Sequence, residues 1–228
     1  MADTLTIDIY SDVVCPWCVI GHGQLRKALS ELDGEIEAEI RWRPFELNPD
    51  MPPEGEEQEA HLQRKYRRSA EEGAAMRGQM KAIAEQAGVS LSFEGEGEAP
   101  PAMMWNTRDC HKLLGLALEQ LGPDAQTQLK LALFKAHFNH RKPLSDRDIL
   151  LDIAAEIGIH REAAKAALDD PDLEARVIAE ERQAWDHNIT GVPAMIVNNK
   201  FMIPGAQSPD VYVNALRRVA EKSRVVAS

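Results

Sequence analysis

Cysteine is scarce in this chain: there are three in 228 residues, at positions 15, 18 and 110. Three is too few for a disulfide scaffold. Two of them form a Cys-x-x-Cys, which in an intracellular protein points to redox chemistry or to metal. Basic residues are also in deficit, 26 against 37 acidic, for a net charge of −11. Sequence-independent nucleic-acid binding rests on Lys and Arg neutralising phosphate, and docking on anionic lipid needs the same charge. Neither a nucleic acid nor a membrane is an expected partner. No apolar run approaches the roughly 20 residues of a membrane span. The opening residues, Met1 to Asp8, carry an early acid, no basic cluster and no apolar core, unlike a secretory signal, so the expected location is cytoplasmic. There is no fixed-period repeat and no extended low-complexity tract. What remains, 44% hydrophobic and 28% charged, is ordinary globular composition. The length suits one large domain or a small domain carrying an insertion, and buries enough surface to need no disulfide staples.

Periodicity orders the elements. Leu5, Ile7 and Ile9 alternate with Thr6, Asp8 and Tyr10, which predicts a strand over 5–10. A helix follows over about 15–32, ended by Asp33-Gly34, and a second alternating strand over about 36–45. Pro44, Pro49, Pro52 and Pro53 mark a loop. From about residue 56 to 187 the pattern is helical. Met76, Met80, Ile83, Ala84 and Ala87 make one stripe. Asn106 or Thr107 caps the next helix, which runs through Cys110, Leu113, Leu114, Ala117 and Leu121. Leu129, Leu133 and Ala136 line another. Ser145 with Asp148 resembles a capping box, and Asp170-Pro171 opens a last long helix. Short strands over 194–197 and 200–203 flank Asn198-Asn199 as a hairpin, and a helix over about 209–222 follows. Neither end has strands enough for a sheet, but together they supply four. The fold class is therefore α/β: residues 1–55 plus 188–228 form one discontinuous domain, and 56–187 an inserted all-helical domain.

Cys15-Pro16-Trp17-Cys18 lies between the first strand and the first helix. A helix start presents unsatisfied N–H groups and the positive end of the dipole, which favour a thiolate at Cys15 and lower its pKa. Cys15 then attacks a disulfide, and Cys18 attacks the mixed disulfide and releases the product. Pro16 suits a first helical turn, and Trp17 offers an apolar contact beside the nucleophile. The competing reading is zinc, but one Cys-x-x-Cys supplies two ligands of the usual four, and Cys110-His111 is not a spaced second pair, so no metal is expected. Asp12 is a candidate helix cap whose charge opposes a thiolate at Cys15. Cys110, on an apolar stripe, reads as a buried inert thiol. His22 is two helical turns from Cys15 and stays outside the site. The basic run 63–68 reads as a solvated helix face.

The segment from Ile7 to Gly21, with Arg43-Pro44-Phe45-Glu46-Leu47-Asn48-Pro49, Asn106-Thr107, Gly191-Val192-Pro193 and Gly205-Ala206-Gln207, resembles the DsbA-like thioredoxin-fold family, and within it the FrnE-like subfamily. The resemblance implies a thioredoxin-like fold with a helical domain between its second and third strands. It also implies Cys15 as nucleophile, Cys18 as resolving thiol, and a cis bond before Pro193 that would bring Val192 and Pro193 against a client peptide. No resident cofactor is implied; glutathione is a candidate co-substrate, and the clients would be disulfide-containing proteins or small thiols. The chain departs from periplasmic DsbA in lacking its secretion signal and the His between its cysteines, so a strongly oxidising potential is not carried over. The related 2-hydroxychromene-2-carboxylate isomerases and kappa-class glutathione transferases typically carry Ser at the position of Cys15. A glutathione-dependent isomerase or transferase, or a non-redox peptide-binding or chaperone module, are the alternatives to a protein disulfide oxidoreductase.

Overall fold

The computed structural model describes residues 2–67 and 69–227. Strand β1 (Asp3–Ser11) is the spine of the sheet. It runs parallel to β2 (Ile36–Pro44) and antiparallel to β5 (Ala194–Val197), and β5 pairs in turn with β6 (Phe201–Pro204). The order is therefore β2-β1-β5-β6, with strands from both ends of the chain. Period-two alternation sends Leu5, Ile7 and Ile9 into one core and Tyr10 into another on the opposite face. The β5–β6 turn is Asn198-Asn199, both with positive φ, a conformation Asn tolerates better than most residues. Asn198 Oδ1 also accepts from the Thr6 amide at 3.0 Å, which locks the hairpin to β1.

Helices α1 (Pro16–Glu31) and α9 (Pro209–Ala227) cover the first face. Leu25, Ala28 and Leu32 meet Tyr212, Leu216 and Val219 over the β1 side chains. The segment between β2 and β5 carries α2 (Gln58–Tyr66), α3 (Ala70–Ala87), α4 (Arg108–Leu121), α5 (Pro123–Phe138), α6 (Arg147–Glu156), α7 (Arg161–Asp169) and α8 (Pro171–Asp186). Helices α4–α7 bury a core of their own around Leu113, Leu129, Leu133, Leu150 and Ile153. That core reaches Val13 and Val14 beside the Cys-x-x-Cys, while Phe134 and Phe138 of α5 enter the core of the sheet.

Three local expectations are corrected. The segment is not wholly helical: β3 (Glu56–Glu57) pairs antiparallel with β4 (Met103–Met104), tying the start of α2 to the loop before α4. Asp146, not Ser145, caps α6, its carboxylate accepting from the Asp148 and Ile149 amides, while Ser145 donates to the Pro53 carbonyl. At α4 the N-cap is Thr107, but its hydroxyl makes no cap bond; the Asn106 carbonyl accepts from the Arg108 amide instead.

Gly23 has a packing reason. A Cβ there would stand 2.8 Å from the Ala87 carbonyl oxygen and 2.9 Å from Val89 Cγ1, so its absence lets α3 lie against α1. Gly23→Ala would gain up to about 1 kcal/mol of helix propensity, but the obstructing atom is backbone and cannot rotate away. Overpacking of this kind costs about 1–3 kcal/mol. The variant is expected to unfold at lower urea than the wild type; an unchanged or raised midpoint would refute the close approach.

Two buried histidines tie stability to pH. His22, its ring tilted against the Trp42 ring with centroids 5.3 Å apart, and His137 are both pushed down to about 4, chiefly by burial. Between about pH 6.5 and 4 the unfolded chain binds protons that the folded chain refuses. Their contribution is thus present above 6.5 and lost as pH falls, by up to about 3 kcal/mol each. A His22→Leu/His137→Leu variant is expected to show a flatter decline of its urea midpoint from pH 7.5 to 4.5; a decline equal to that of the wild type would show that other groups set it.

Candidate functional site

The end of β1 delivers the dithiol. Ser11 is its last residue, and the chain turns through Asp12-Val13-Val14 into Cys15, the N-cap of α1 in extended conformation. The Cys15 amide donates to the Asp12 carbonyl at 3.2 Å and the Cys18 amide to the Cys15 carbonyl at 3.1 Å. Pro16 occupies the first helical position, where no N–H is missed. Both cysteines are free thiols and both are buried, Cys15 with 4% of its surface exposed and Cys18 with 1%. The difference in reach is larger than those fractions suggest. Cys15 lines a cleft of about 630 Å³, and Cys18 does not.

The charge of the reduced pair does not rest where helix-start logic places it. Cys15 is held well above the ordinary thiol range, first by its hydrogen bond to Cys18 and then by burial. Its Sγ also donates to the Val192 carbonyl at 3.6 Å. Cys18 lies below the ordinary value: burial opposes its thiolate, but the bond from Cys15, the Lys130 ammonium, the Ser11 hydroxyl and the Asp12 backbone together outweigh it. Of the two, Cys15 holds its proton more firmly, and it is Cys15 that faces the cleft.

Asp12 is not the helix cap. Its Oδ2 accepts from the Leu47 amide at 2.7 Å, fastening the loop after β2 to the turn before Cys15. Its Oδ1 lies 3.7 Å from His111 Nε2, and neither atom has a hydrogen-bond partner among the described residues. Burial raises the Asp12 pKa, but the His111, Leu47 and Lys130 interactions win and hold it below the usual carboxylate value. Next along that loop, Glu46 pairs with Arg108 of α4 at 2.5 Å, and its amide donates to Glu181 of α8 at 2.8 Å. Burial, then the Glu181 charge, pushes Glu46 up to about 7. The Arg43–Pro49 motif thus works as a clamp between the dithiol turn and the helices.

Trp17 is 38% exposed on the cleft wall. The cleft is also lined by Met80, Met104, Trp105 and Phe138, with Lys65, Arg77, Lys81 and Arg141 among them. Lys65, part of the basic run, is not simply solvated: it donates to the Leu47 carbonyl and to Asn48 Oδ1 at 2.8 and 2.7 Å. Arg64 pairs with Glu56, and Arg68 lies outside the described residues. The Val192–Pro193 bond is cis. Pro193 is buried, and a Cβ on Gly21 would stand 3.0 Å from its Cγ, so the cleft wall expected at Pro193 is made by Gly191 and Val192 instead. No group of three or more His, Cys, Asp and Glu among the described residues is arranged to hold a metal. Two residues beside the dithiol carry no role in the sequence reading, Ser11 and Lys130, and His111 enters it only as a rejected metal ligand.

A strand-loop-helix dithiol beside a cis-proline loop, in a sheet with an inserted helical block, defines a thioredoxin-like protein of the DsbA type. Residues 6–217 match the family described as DSBA-like thioredoxin domain, and the chain belongs to that family. It is 28% identical to the uncharacterized protein YwbO of Bacillus subtilis over 93% of this chain and 96% of that one. It is 26% identical to the thiol:disulfide interchange protein DsbA of Pseudomonas syringae pv. tomato over 56% of this chain and 59% of that protein. A probable DsbA oxidoreductase of Streptomyces coelicolor, SCO1869, superposes with a TM-score of 0.81 at 30% identity, covering 94% of this chain and 89% of that one.

Cys110 is buried, its Sγ directed at the Leu144 carbonyl at 3.7 Å, and burial raises its pKa far above the ordinary thiol value. Such a thiol neither ionises nor meets a client. Cys110→Ala is expected to keep the wild-type disulfide-exchange rate and to lose about 1 kcal/mol of stability; a folded variant without exchange activity would contradict this.

Proposed function

We propose that this chain is a protein disulfide oxidoreductase working through a mixed disulfide on Cys15. The observation that carries the reading is the division between the two sulfurs: Cys15 faces the cleft, and Cys18, buried beneath it, bears the more stable charge. Cys15 passes its proton to the Cys18 thiolate, and the Cys15 thiolate so formed attacks a client disulfide. A Cys15–client S–S bond forms, the client S–S bond breaks, and the first client sulfur leaves as a thiolate that takes a proton from solvent. Cys18 then gives its proton to solvent and attacks Cys15 Sγ, and the departing client thiolate takes one back. The Cys15–Cys18 bond forms, the second client sulfur leaves, and two electrons have passed from the pair to the client. Run backwards, the same steps oxidise a client dithiol.

Trp17 and Val192 border the attacking sulfur and are the proposed client contacts, with Pro193 holding Val192 in place. Once Cys15 Sγ is engaged with a client it no longer donates to the Val192 carbonyl, which frees that acceptor for a backbone N–H of an extended client, in the manner of strand addition. In this reading residues 1–55 with 188–228 form the redox domain, and 56–187 supply the far wall of the cleft. Clients are disulfide-containing proteins or small thiols, glutathione is a candidate co-substrate, and the expected compartment is the cytoplasm. No helix among the described residues is long and apolar enough to cross a membrane.

Cys15→Ser is expected to abolish insulin reduction, and Cys18→Ser to accumulate mixed disulfides with clients in extracts. Near-normal reduction by Cys15→Ser would reverse the assignment. Glutathione-dependent turnover of a non-disulfide substrate that survives Cys18→Ser would replace it with an isomerase or transferase.

A further inference from the structure

Lys130 is the most unusual side chain in the molecule that the exchange steps leave unused. It sits on α5, in the helical segment between β2 and β5, and is fully buried. Its Nζ donates to the Ser11 carbonyl at 3.3 Å. It also lies 5.3 Å from the Trp42 ring and 5.1 Å from the Phe134 ring, both in the core that contains Cys15 and Cys18. One carbonyl and two aromatic faces are thin compensation for an ammonium removed from water. Stability requires anionic charge nearby.

The groups that face it can be named element by element. From the end of β1 and the turn into α1 come Asp12, Cys15 and Cys18, and from α4 comes Cys110; His111 of α4 and His137 of α5 bear on Asp12 rather than on Lys130 itself. Burial pulls the Lys130 pKa down to about 8, and the restoring influences are Cys18, then Asp12, Cys110 and Cys15. Cys110 stays a neutral thiol, and His137 stays neutral above about pH 4. The Asp12 carboxylate is present whether the pair is oxidised or reduced. Only the charge shared by Cys15 and Cys18 appears on reduction and vanishes when the S–S bond forms.

We propose that Lys130 is the charge-setting residue of the redox pair: its buried ammonium, carried in by α5, selectively stabilises the reduced, ionised dithiol, so that the inserted helices set the reduction potential. Taking up two electrons, the Cys15–Cys18 disulfide becomes one thiolate and, with a proton from solvent, one thiol. Lys130 interacts with the thiolate and has no equivalent partner in the disulfide. By linkage the coupling is reciprocal: forming the disulfide must make Lys130 easier to deprotonate.

The inference rests on the dithiol reading above, and the two fail in different ways. Wild-type protein and Lys130→Met, which keeps length and apolar packing, are equilibrated in glutathione buffers and the Cys15–Cys18 disulfide is quantified. Lys130→Met is expected to shift the equilibrium at least tenfold toward the disulfide, equal to about 30 mV for a two-electron couple, and to raise the pH at which thiolate absorbance near 240 nm develops. A folded variant with wild-type equilibrium and thiolate titration overturns the proposal. Should Lys130→Met not fold, the wild type decides: carbon-13 NMR of Lys130 Cε is expected to titrate at lower pH in the oxidised than in the reduced protein, and coincident titrations overturn the proposal. A wild type that forms no Cys15–Cys18 disulfide in any buffer refutes the dithiol reading instead.

Discussion

A thiolate formed out of water survives only if the protein supplies what water would have supplied, and this requirement organises the site. Burial alone would raise both thiols of the Cys15–Cys18 pair. The compensation is local and mixed: a hydrogen bond between the sulfurs, the Ser11 hydroxyl and the Asp12 backbone from the end of β1, and the Lys130 ammonium from α5. The first three come from the strand end and the turn that carry the dithiol. The last does not, because it arrives from the helical segment. The sheet thus provides reach and direction while the added helices provide charge.

The same requirement explains why so many polar side chains lie buried around one turn. Asp12, His111 and Lys130 are each costly to enclose alone. Together they place opposite charge and hydrogen-bonding capacity within one pocket of the core, and Asp12 also anchors Leu47 and so the loop after β2. Glu46, Arg108 and Glu181 extend the arrangement to α4 and α8. The clamp ties α4 and α8 of the helical segment to the loop after β2, beside the dithiol turn, which suits a cleft lined from distant parts of the sequence.

Much of this is legible in the sequence. Strands β1 and β2 declare themselves by period-two alternation, the β5–β6 hairpin by Asn198-Asn199, and α1 by a Cys-x-x-Cys with Pro16 at its first turn. The two ends of the chain each lack strands that the other has, and that shortage pointed to a single sheet with an insertion. What stayed hidden is what depends on tertiary contact. The β3–β4 pairing joins two-residue strands about 46 positions apart and leaves no periodic trace. Asp146 and Ser145 are both plausible caps, and only the proximity of the Pro53 carbonyl separates them. Helix-start logic assigned the thiolate to Cys15, but the bond between the two sulfurs, and after it the Lys130 ammonium from another helix, favours the charge on Cys18. Lys130 itself reads in sequence as one more helix-favouring residue, since burial of a charge is a property of the assembled core.

The claim on which everything else depends is that Cys15 and Cys18 form one reversible redox centre isolated from Cys110. Equilibrating the wild-type protein across glutathione redox buffers, trapping free thiols by alkylation and mapping the peptides by mass spectrometry tests it directly. The account predicts a single two-electron transition in which Cys15 and Cys18 lose alkylation together, while Cys110 remains a thiol that alkylates only after unfolding. Persistent free thiols at Cys15 and Cys18 under the most oxidising buffer, or a disulfide linking either of them to Cys110, would contradict it.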